Sequence, residues 1–308
     1  MKVGIMAGAT SAFGSGVADL VEFTKTAENM GFDSVWMANI FGPDAINTLS
    51  IAGWETERIE LGTAVTPTYP RHPTAIAQQA MTAAAASNNR FSLGIGLSHK
   101  VVIEDMLGMS YDKPARHMRE YLSILGPLLR CESASFVGEQ YTAHVGIRVD
   151  GAKNVPLIVA ALGPTMLKLA GSMADGTITW MTGIKTIADH IAPSINAAAD
   201  QAGKPQARVV CGLPIALTSD IEGAKAQIGE QLKMYGELPS YRAMLDKEGA
   251  DGPADVAILG DETSLRQQLQ SLKDAGVTDF NAALVDLGND EHSRTLEFLA
   301  AEIGHYAN

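Results

Sequence analysis

Short apolar segments alternate with amphipathic segments along almost the whole chain. Eight segments rich in β-branched and other apolar residues are predicted as strands, at residues 3–7, 34–38, 61–66, 91–96, 155–161, 176–181, 208–217 and 280–285. After the first of them, Val17, Leu20 and Val21 begin a stripe with helical spacing, and Gly31 is a suitable helix end. A comparable helical segment is predicted after every strand.

Strand–helix alternation of this kind implies parallel strands joined by right-handed crossovers. Eight units in 308 residues predict an α/β fold of the closed (β/α)8, or TIM, barrel type. The alternative is an open doubly wound sheet, which usually carries a glycine-rich phosphate fingerprint after a strand. Gly94 and Gly96 come nearest to that fingerprint, but its third glycine is missing. Because no flexible linker marks a boundary, we expect one domain over residues 1–308.

Three segments interrupt the repeat and are predicted to be insertions. Residues 136–149 alternate between apolar and polar positions, which is typical of a hairpin-like insertion before strand 5. Two irregular segments follow strand 4, up to residue 113, and strand 7, at residues 236–260. Together with residues 8–16, these two segments are expected to select the substrate, since the loops after barrel strands form the active site.

The third strand is followed by a polar turn with three prolines, Pro67, Pro70 and Pro73. Proline prevents regular structure inside this turn, and Pro73 is suited to the first turn of the next helix. A rigid polar loop at the end of a buried strand is longer than a connection requires. We therefore predict a ligand site there.

Composition excludes several classes of function. The chain has 23 Lys and Arg against 35 Asp and Glu, a net charge of −12, which argues against nucleic-acid binding. The two cysteines, Cys131 and Cys211, form no CxxC motif, so we expect no disulfide framework and a reducing cytoplasm. No signal-peptide pattern and no run of about 18 apolar residues occurs, so no membrane span is expected.

The predicted strand ends contain few acidic residues, and only Asp44 lies close behind one. This argues against a hydrolase with paired carboxylates, and the scattered histidines predict no metal site. Small residues, hydroxyls and backbone groups suit a flat cofactor that brings its own chemistry. Residues 161–165 begin a helix, whose free N–H groups attract a phosphate. Alternatively, Gly163 and Pro164 form only a helix-start turn.

Seven segments, in their order and spacing, resemble the luciferase-like monooxygenase superfamily, specifically its oxidoreductases that use the deazaflavin coenzyme F420. They are residues 61–67, 71–78, 91–99, 119–122, 161–164, 174–176 and 275–280. The resemblance covers nearly the whole chain. It implies a (β/α)8 barrel, a homodimer and F420 as the cofactor.

The resemblance also assigns roles to residues. It implies a non-proline cis peptide, here Ala64–Val65, behind the cofactor ring, and backbone contacts from the helix-start turn to ring and phosphate. The second strand of such proteins often ends in an acidic residue or histidine. This chain has Asn39, which can hydrogen-bond the ring but cannot act as a general acid. The predicted cofactor-binding residues are Asn39, Ala64, Val65, Thr66, Ser98, His99, Ala161, Leu162, Gly163, Pro164, Thr165, Gly176 and Thr179.

Other candidates have two interpretations each. His99 is the predicted catalytic residue, as ring contact or proton donor, and the alternative is a loop histidine bonded to its own turn. Tyr241 and Arg242 either cover the site or only cap the barrel. Trp180 and Met181 are predicted in the pocket, and Trp36 in the core. Tyr69, Arg71 and His72 either bind the anionic tail of the cofactor or are solvated loop residues.

The resulting hypothesis is hydride transfer between ring carbon C5 of F420 and an unidentified small organic substrate. The first alternative is an FMN-dependent monooxygenase or reductase of the same superfamily. Arg71, Lys100 and Lys185, near predicted strand ends, favour F420 because its tail carries carboxylates. The second alternative is a flavin-binding protein without catalytic activity.

Overall fold

Eight parallel strands close into a barrel in the computed structural model, which describes residues 1–7, 16–288 and 290–306. The strands in chain order are β1 (Lys2–Ala7), β2 (Ser34–Met37), β3 (Glu60–Thr63), β4 (Thr66–Pro67), β5 (Phe91–Gly96), β6 (Ser133–Val137), β7 (Thr142–Gly146), β8 (Leu157–Ala160), β9 (Gly176–Trp180), β10 (Arg208–Leu217), β11 (Ile258–Gly260) and β12 (Asp279–Leu284). The barrel order is β1-β2-β3-β5-β8-β9-β10-β12, and β12 pairs with β1 to close it. The predicted TIM barrel is therefore confirmed.

Helices surround the barrel. They are α1 (Val17–Asn29), α2 (Ala45–Trp54), α3 (Pro73–Ala86), α4 (Pro114–Leu129), α5 (Pro164–Met173), α6 (Ile184–Thr186), α7 (Ala192–Gln201), α8 (Ile221–Gln231), α9 (Lys233–Glu237), α10 (Pro239–Glu248), α11 (Glu262–Asp274) and α12 (Glu291–Ala301). Proline in the first turn starts α3, α4, α5 and α10, as its fixed φ favours. No helix in the described residues is long and apolar enough to cross a bilayer.

The strands bury both faces, because successive side chains point to opposite sides. Outward residues such as Leu93 and Val159 pack against the helices in the main core. Inward residues form a separate cluster inside the barrel, with Trp36, Ile158 and Val210 at its centre. Trp36 is fully buried, as the sequence predicted.

A salt-bridge network fills the barrel at the amino ends of the strands. Arg208 donates to Glu60 at 2.7 Å and to Asp279 at 2.6 Å. Burial raises the pKa of Glu60, but Arg208 and Lys2 outweigh it and hold that pKa at about 2. The salt bridges therefore fill the amino end of the barrel, and a ligand site is expected at the carboxyl end.

Three segments interrupt the strand–helix repeat. Strands β6 and β7 form an antiparallel hairpin, whose turn is held by the buried carboxylate of Glu120. A five-residue π-helical turn, Val102–Met106, follows β5. After β10, helices α9 and α10 precede a 3₁₀ turn, Pro253–Val256, and β11. We call residues 233–248 the α9–α10 insertion.

Candidate active site

A bulge divides the third barrel strand into β3 and β4. The sequence predicted one strand over residues 61–66, but the Ala64–Val65 peptide is cis and interrupts the ladder. Val65 packs in the interior cluster beside two glycines of β5. A Cβ on Gly96 would lie only 2.6 Å from Val65 Cγ2, so glycine is required for Val65 to lie there. The bulge thus presents an apolar surface at the carboxyl end of the barrel.

Apolar side chains line the floor of the barrel mouth. Gly212 on β10 lies between two large side chains, because a Cβ there would be 3.1 Å from both Met6 Cε and Trp180 Cε3. Val65 and Ala160 lie next to each other above Gly96 on the other side. Side chains on this floor provide dispersion contacts and few polar groups, which suits one face of a planar ring.

The segment after β5 projects His99 towards this mouth. Ser98 has a left-handed φ of 59°, and its carbonyl accepts a hydrogen bond from Tyr111 at 3.3 Å. The carbonyl of His99 accepts N–H groups from Val102 and Ile103, each at 3.0 Å, which starts the π-helical turn. Burial lowers the pKa of His99, so its imidazole is neutral at pH 7.

The start of α5 lies next to the segment after β5, because α5 follows β8 and β8 pairs with β5. Gly163 is the N-cap residue. Among the described residues, no side chain caps this helix, and a Cβ on Gly163 would meet no atom within 4 Å. Pro164 has no N–H, so Thr165 carries the first one in the helix. An uncapped helix start next to open space can accept an anion.

Two neighbouring backbone positions are already engaged. The hydroxyl of Thr177 accepts from the N–H of Ala161 at 3.2 Å and donates to its carbonyl at 3.1 Å. The carbonyl of Leu162 is bonded to His190 Nε2 at 2.8 Å. These bonds hold the turn in place rather than leaving its carbonyls for a ligand. No local sequence pattern pointed to His190, which comes from the helical segment after β9.

Three predicted cofactor-binding residues lie away from the mouth. Gly176 begins β9 at the amino end of the barrel, where a Cβ would be 2.3 Å from the carbonyl oxygen of Arg208. Thr179 alternates with inward-facing residues of β9 and therefore faces the helices. Thr66 pairs with the outward-facing Ile95, so its buried hydroxyl lies on the same outer face. We leave these three side chains out of the site.

Asn39 is at the mouth, but its side chain is partly engaged. Its Oδ1 accepts the N–H of Ala45 at 3.0 Å and so holds the start of α2. The side-chain amide group remains available to a ligand, in keeping with the hydrogen-bonding role that the sequence allowed.

The three residues predicted to bind the anionic tail of the cofactor already have partners inside the protein. Arg71 forms an ion pair with Asp44 at 2.7 Å. Tyr69 is buried and stacks on His117 at 3.9 Å, and His72 accepts the N–H of Thr74 at the start of α3. These contacts fix the proline-rich loop and leave no observation in favour of tail binding.

The α9–α10 insertion brings aromatic rings to the mouth. Tyr241 lies 5.7 Å from His99 and 5.4 Å from Tyr235, and Tyr235 lies 6.2 Å from Trp180, between ring centroids. We call His99, Trp180, Tyr235 and Tyr241 the aromatic wall. Of the two interpretations of Tyr241, the structure supports the one in which it covers the site.

The barrel interior also contains an unexpected polar side chain. Asn281 on β12 is fully buried beside Gly4 and Gly212, and neither polar atom of its carboxamide has a partner among the described residues. Among the described residues, no group of three or more His, Cys, Asp or Glu is placed to bind a metal ion.

A sequence model of the luciferase-like monooxygenase family matches residues 1–291. The chain belongs to this family. It is 28% identical to F420-dependent glucose-6-phosphate dehydrogenase from Intrasporangium calvum, in an alignment of 337 residues that covers 98% of each protein. It is also 28% identical over 252 residues to 5,10-methylenetetrahydromethanopterin reductase from Methanolobus tindarius, covering 79% of this chain and 74% of that one.

Solved structures share the fold. The coenzyme F420-dependent tetrahydromethanopterin reductase from Methanopyrus kandleri matches with a TM-score of 0.80 at 21% identity, over 99% of both chains. An F420-dependent secondary alcohol dehydrogenase, solved with an F420-acetone adduct, matches with a TM-score of 0.80 at 18% identity, over 100% of this chain and 99% of that one. The fold is thus shared with proteins of low sequence identity.

Proposed function

We propose that this protein transfers a hydride between coenzyme F420 and a small organic substrate bound at the barrel mouth. The relatives named above support the predicted class, a coenzyme F420-dependent oxidoreductase of the luciferase-like family. The single observation that carries the site assignment is that Val65, the uncapped start of α5 and His99 all follow adjacent barrel strands at the carboxyl end of the barrel.

The residues present fit this cofactor. Val65 and Ala160 offer an apolar surface to a deazaflavin ring, and the N–H groups at the start of α5 offer hydrogen bonds to its phosphate. When bound, the deazaflavin ring supplies the group that accepts or donates the hydride. The remaining functions, which are orientation, exclusion of water and proton handling, belong to the chain itself.

His99 is the proposed proton-handling residue. A carbonyl oxygen needs a proton when its carbon is reduced, and an alcohol loses one when it is oxidised. A neutral imidazole at the mouth can accept the proton that an alcohol loses when it is oxidised. In the reducing direction it donates a hydrogen bond to the carbonyl oxygen, and the proton that this oxygen takes up comes from water. His99→Gln should therefore lower kcat more than it changes the Kd for F420, whereas His144→Gln, the same change on the exposed hairpin, should change neither.

A titration tests the proposal. Purified protein is titrated with F420 and with FMN, followed by fluorescence, and reduced F420 is then offered with a panel of ketones, aldehydes and enones. We expect saturable F420 binding, no FMN binding at the same concentrations and turnover of at least one carbonyl. FMN binding without F420 binding would indicate the FMN-dependent alternative. F420 binding without turnover across the panel would indicate a binding protein. The homodimer and the cytoplasmic location remain predictions.

A further inference from the structure

We infer that the substrate is an uncharged molecule with an aromatic or otherwise apolar body, and not a sugar phosphate. This inference rests on the proposed function, since it concerns the substrate of the same site. It distinguishes this chain from the glucose-6-phosphate dehydrogenase to which it is similar. The aromatic wall and the pairing of the cations at the mouth are the two observations behind it.

The aromatic wall forms one continuous surface across the mouth. Its four rings follow each other at centroid distances of 5.7, 5.4 and 6.2 Å, from the end of β5 to the end of β9. Trp180 lies on the floor next to Met6. Rings arranged edge to face bind planar and apolar groups through area and quadrupole contacts. Exposed apolar side chains, Phe41, Val101 and Leu107, lie on the loops after β2 and β5.

The wall is held in position by polar bonds behind it. The carboxylate of Glu248, at the end of α10, accepts the N–H of Lys185 at 3.1 Å and of Thr186 at 2.7 Å. Arg242 donates to the carbonyls of Asp251 at 2.8 Å and Ala250 at 2.6 Å. The α9–α10 insertion is therefore tied both to the start of α6 and to its own following turn, so the apolar surface exists before a ligand binds.

The cations on the loops of the mouth are paired with carboxylates, whereas Lys185, in the first turn of α6, forms no ion pair among the described residues. Loops join the carboxyl end of each barrel strand to the next helix. In the described parts of these loops, apart from the α9–α10 insertion, the Lys and Arg residues are Arg71, Lys100 and Lys113. Their carboxylate partners are Asp44 at 2.7 Å, Glu104 at 3.5 Å and Glu139 at 4.0 Å. The sequence of residues 8–15 contains no Lys, Arg or His. Proteins normally recognise phosphate through charge-assisted hydrogen bonds from Lys and Arg. The carboxylate partners of these three cations oppose such bonds.

The polar atoms of the wall suit a neutral oxygen. Burial raises the pKa of Tyr241, so its phenol keeps its proton and can donate a hydrogen bond. His99 beside it is neutral. A phenol and a neutral imidazole complement a carbonyl or hydroxyl group, and neither supplies the positive charge that a phosphate or carboxylate needs.

Matched ligands test the inference. F420 binding is measured first by fluorescence, so that failure of the proposed function is seen separately. Calorimetry on the F420-loaded protein then compares acetophenone, 4-acetylphenyl phosphate and glucose 6-phosphate. We expect acetophenone to bind at least about tenfold more tightly than either phosphate. Tighter binding of either phosphate, or no saturable binding of acetophenone, would overturn the inference without affecting the F420 result.

Variants of the wall give a second readout. Tyr235→Ala and Tyr241→Ala should each weaken acetophenone binding by about tenfold, since each removes one ring from the surface. Tyr241→Phe should keep the affinity, because the ring remains. Met234→Ala is the matched control, since Met234 lies beside Tyr235 on α9 with 63% of its surface exposed. Unchanged acetophenone affinity in both alanine variants, with F420 affinity retained, would also overturn the inference.

Discussion

His117 on α4 and Thr68 on the proline-rich loop are joined inside the protein, with His117 Nε2 2.8 Å from Thr68 Oγ1. Tyr69 stacks on the same imidazole at 3.9 Å. This pair fixes the loop that follows the bulge to the helix outside the barrel. The mouth therefore depends on a histidine that takes no part in the proposed chemistry.

The buried position of His117 predicts that the free energy of unfolding decreases in acid. Burial lowers the pKa of His117 to about 4, whereas an unfolded histidine has a pKa of about 6.5. The unfolded chain therefore binds a proton between pH 6.5 and 4 that the folded chain does not. The free energy of unfolding should fall as pH decreases through this window, by roughly 2–3 kcal/mol from this residue.

Urea unfolding at pH 7 and pH 4.5 measures this effect. His117→Gln should lose this part of the pH dependence, because glutamine does not titrate. His144→Gln, on the exposed face of the hairpin, should keep it. An identical pH dependence in wild-type protein and in His117→Gln would contradict the prediction.

Gly62→Ala should destabilise the barrel interior. A Cβ at this position would lie 2.2 Å from Cε3 of Trp36, whose Nε1 also donates to Ser34 Oγ at 3.0 Å. Overpacking of a filled core costs about 1–3 kcal/mol. The midpoint of urea unfolding should fall accordingly. Gly42→Ala is the control, since a Cβ there meets nothing within 4 Å, and an equal loss in both variants would refute the packing explanation.

Gly96→Ala tests the surface that backs the cofactor. The new methyl group would lie 2.6 Å from Val65 Cγ2 and 3.2 Å from the Cβ of Ala160, so Val65 must move towards the mouth. We expect the Kd for F420 to rise at least about tenfold. The double variant Gly96→Ala with Val65→Ala should recover part of the affinity. A fluorescence titration that shows the wild-type Kd in Gly96→Ala would remove Val65 from the site.

Gly163→Asp should stabilise the fold but weaken the binding of F420. An aspartate at the open N-cap accepts an N–H of α5 and should raise the free energy of unfolding by about 0.5 kcal/mol. The same carboxylate occupies the proposed phosphate position, so the Kd for F420 should rise at least about tenfold. Gly163→Asn, which caps without charge, should stabilise equally and bind F420 more tightly than Gly163→Asp. Equal F420 affinity in the two variants would place the phosphate elsewhere.

The sequence was sufficient for the barrel because its signals are local. Each strand and helix has its own period of apolar residues, and Pro73 and Pro164 mark helix starts within a few residues. Counting eight such units led to the closed fold, which the strand pairing confirms. The resemblance to the luciferase-like family added the cis peptide at Ala64–Val65, which the structure contains.

The details of the site depend on tertiary structure, because barrel closure and strand register decide which distant residues meet. Sequence position alone gave Thr179 a role at the mouth, but strand alternation turns its side chain towards the helices. Arg71 was a candidate cation until folding placed Asp44 beside it. The aromatic wall joins three parts of the chain that are far apart in sequence, so no local pattern could reveal it. The sequence by itself thus determined the barrel and its order of elements, whereas the three-dimensional contacts decided which side chains face the mouth and which charges remain there.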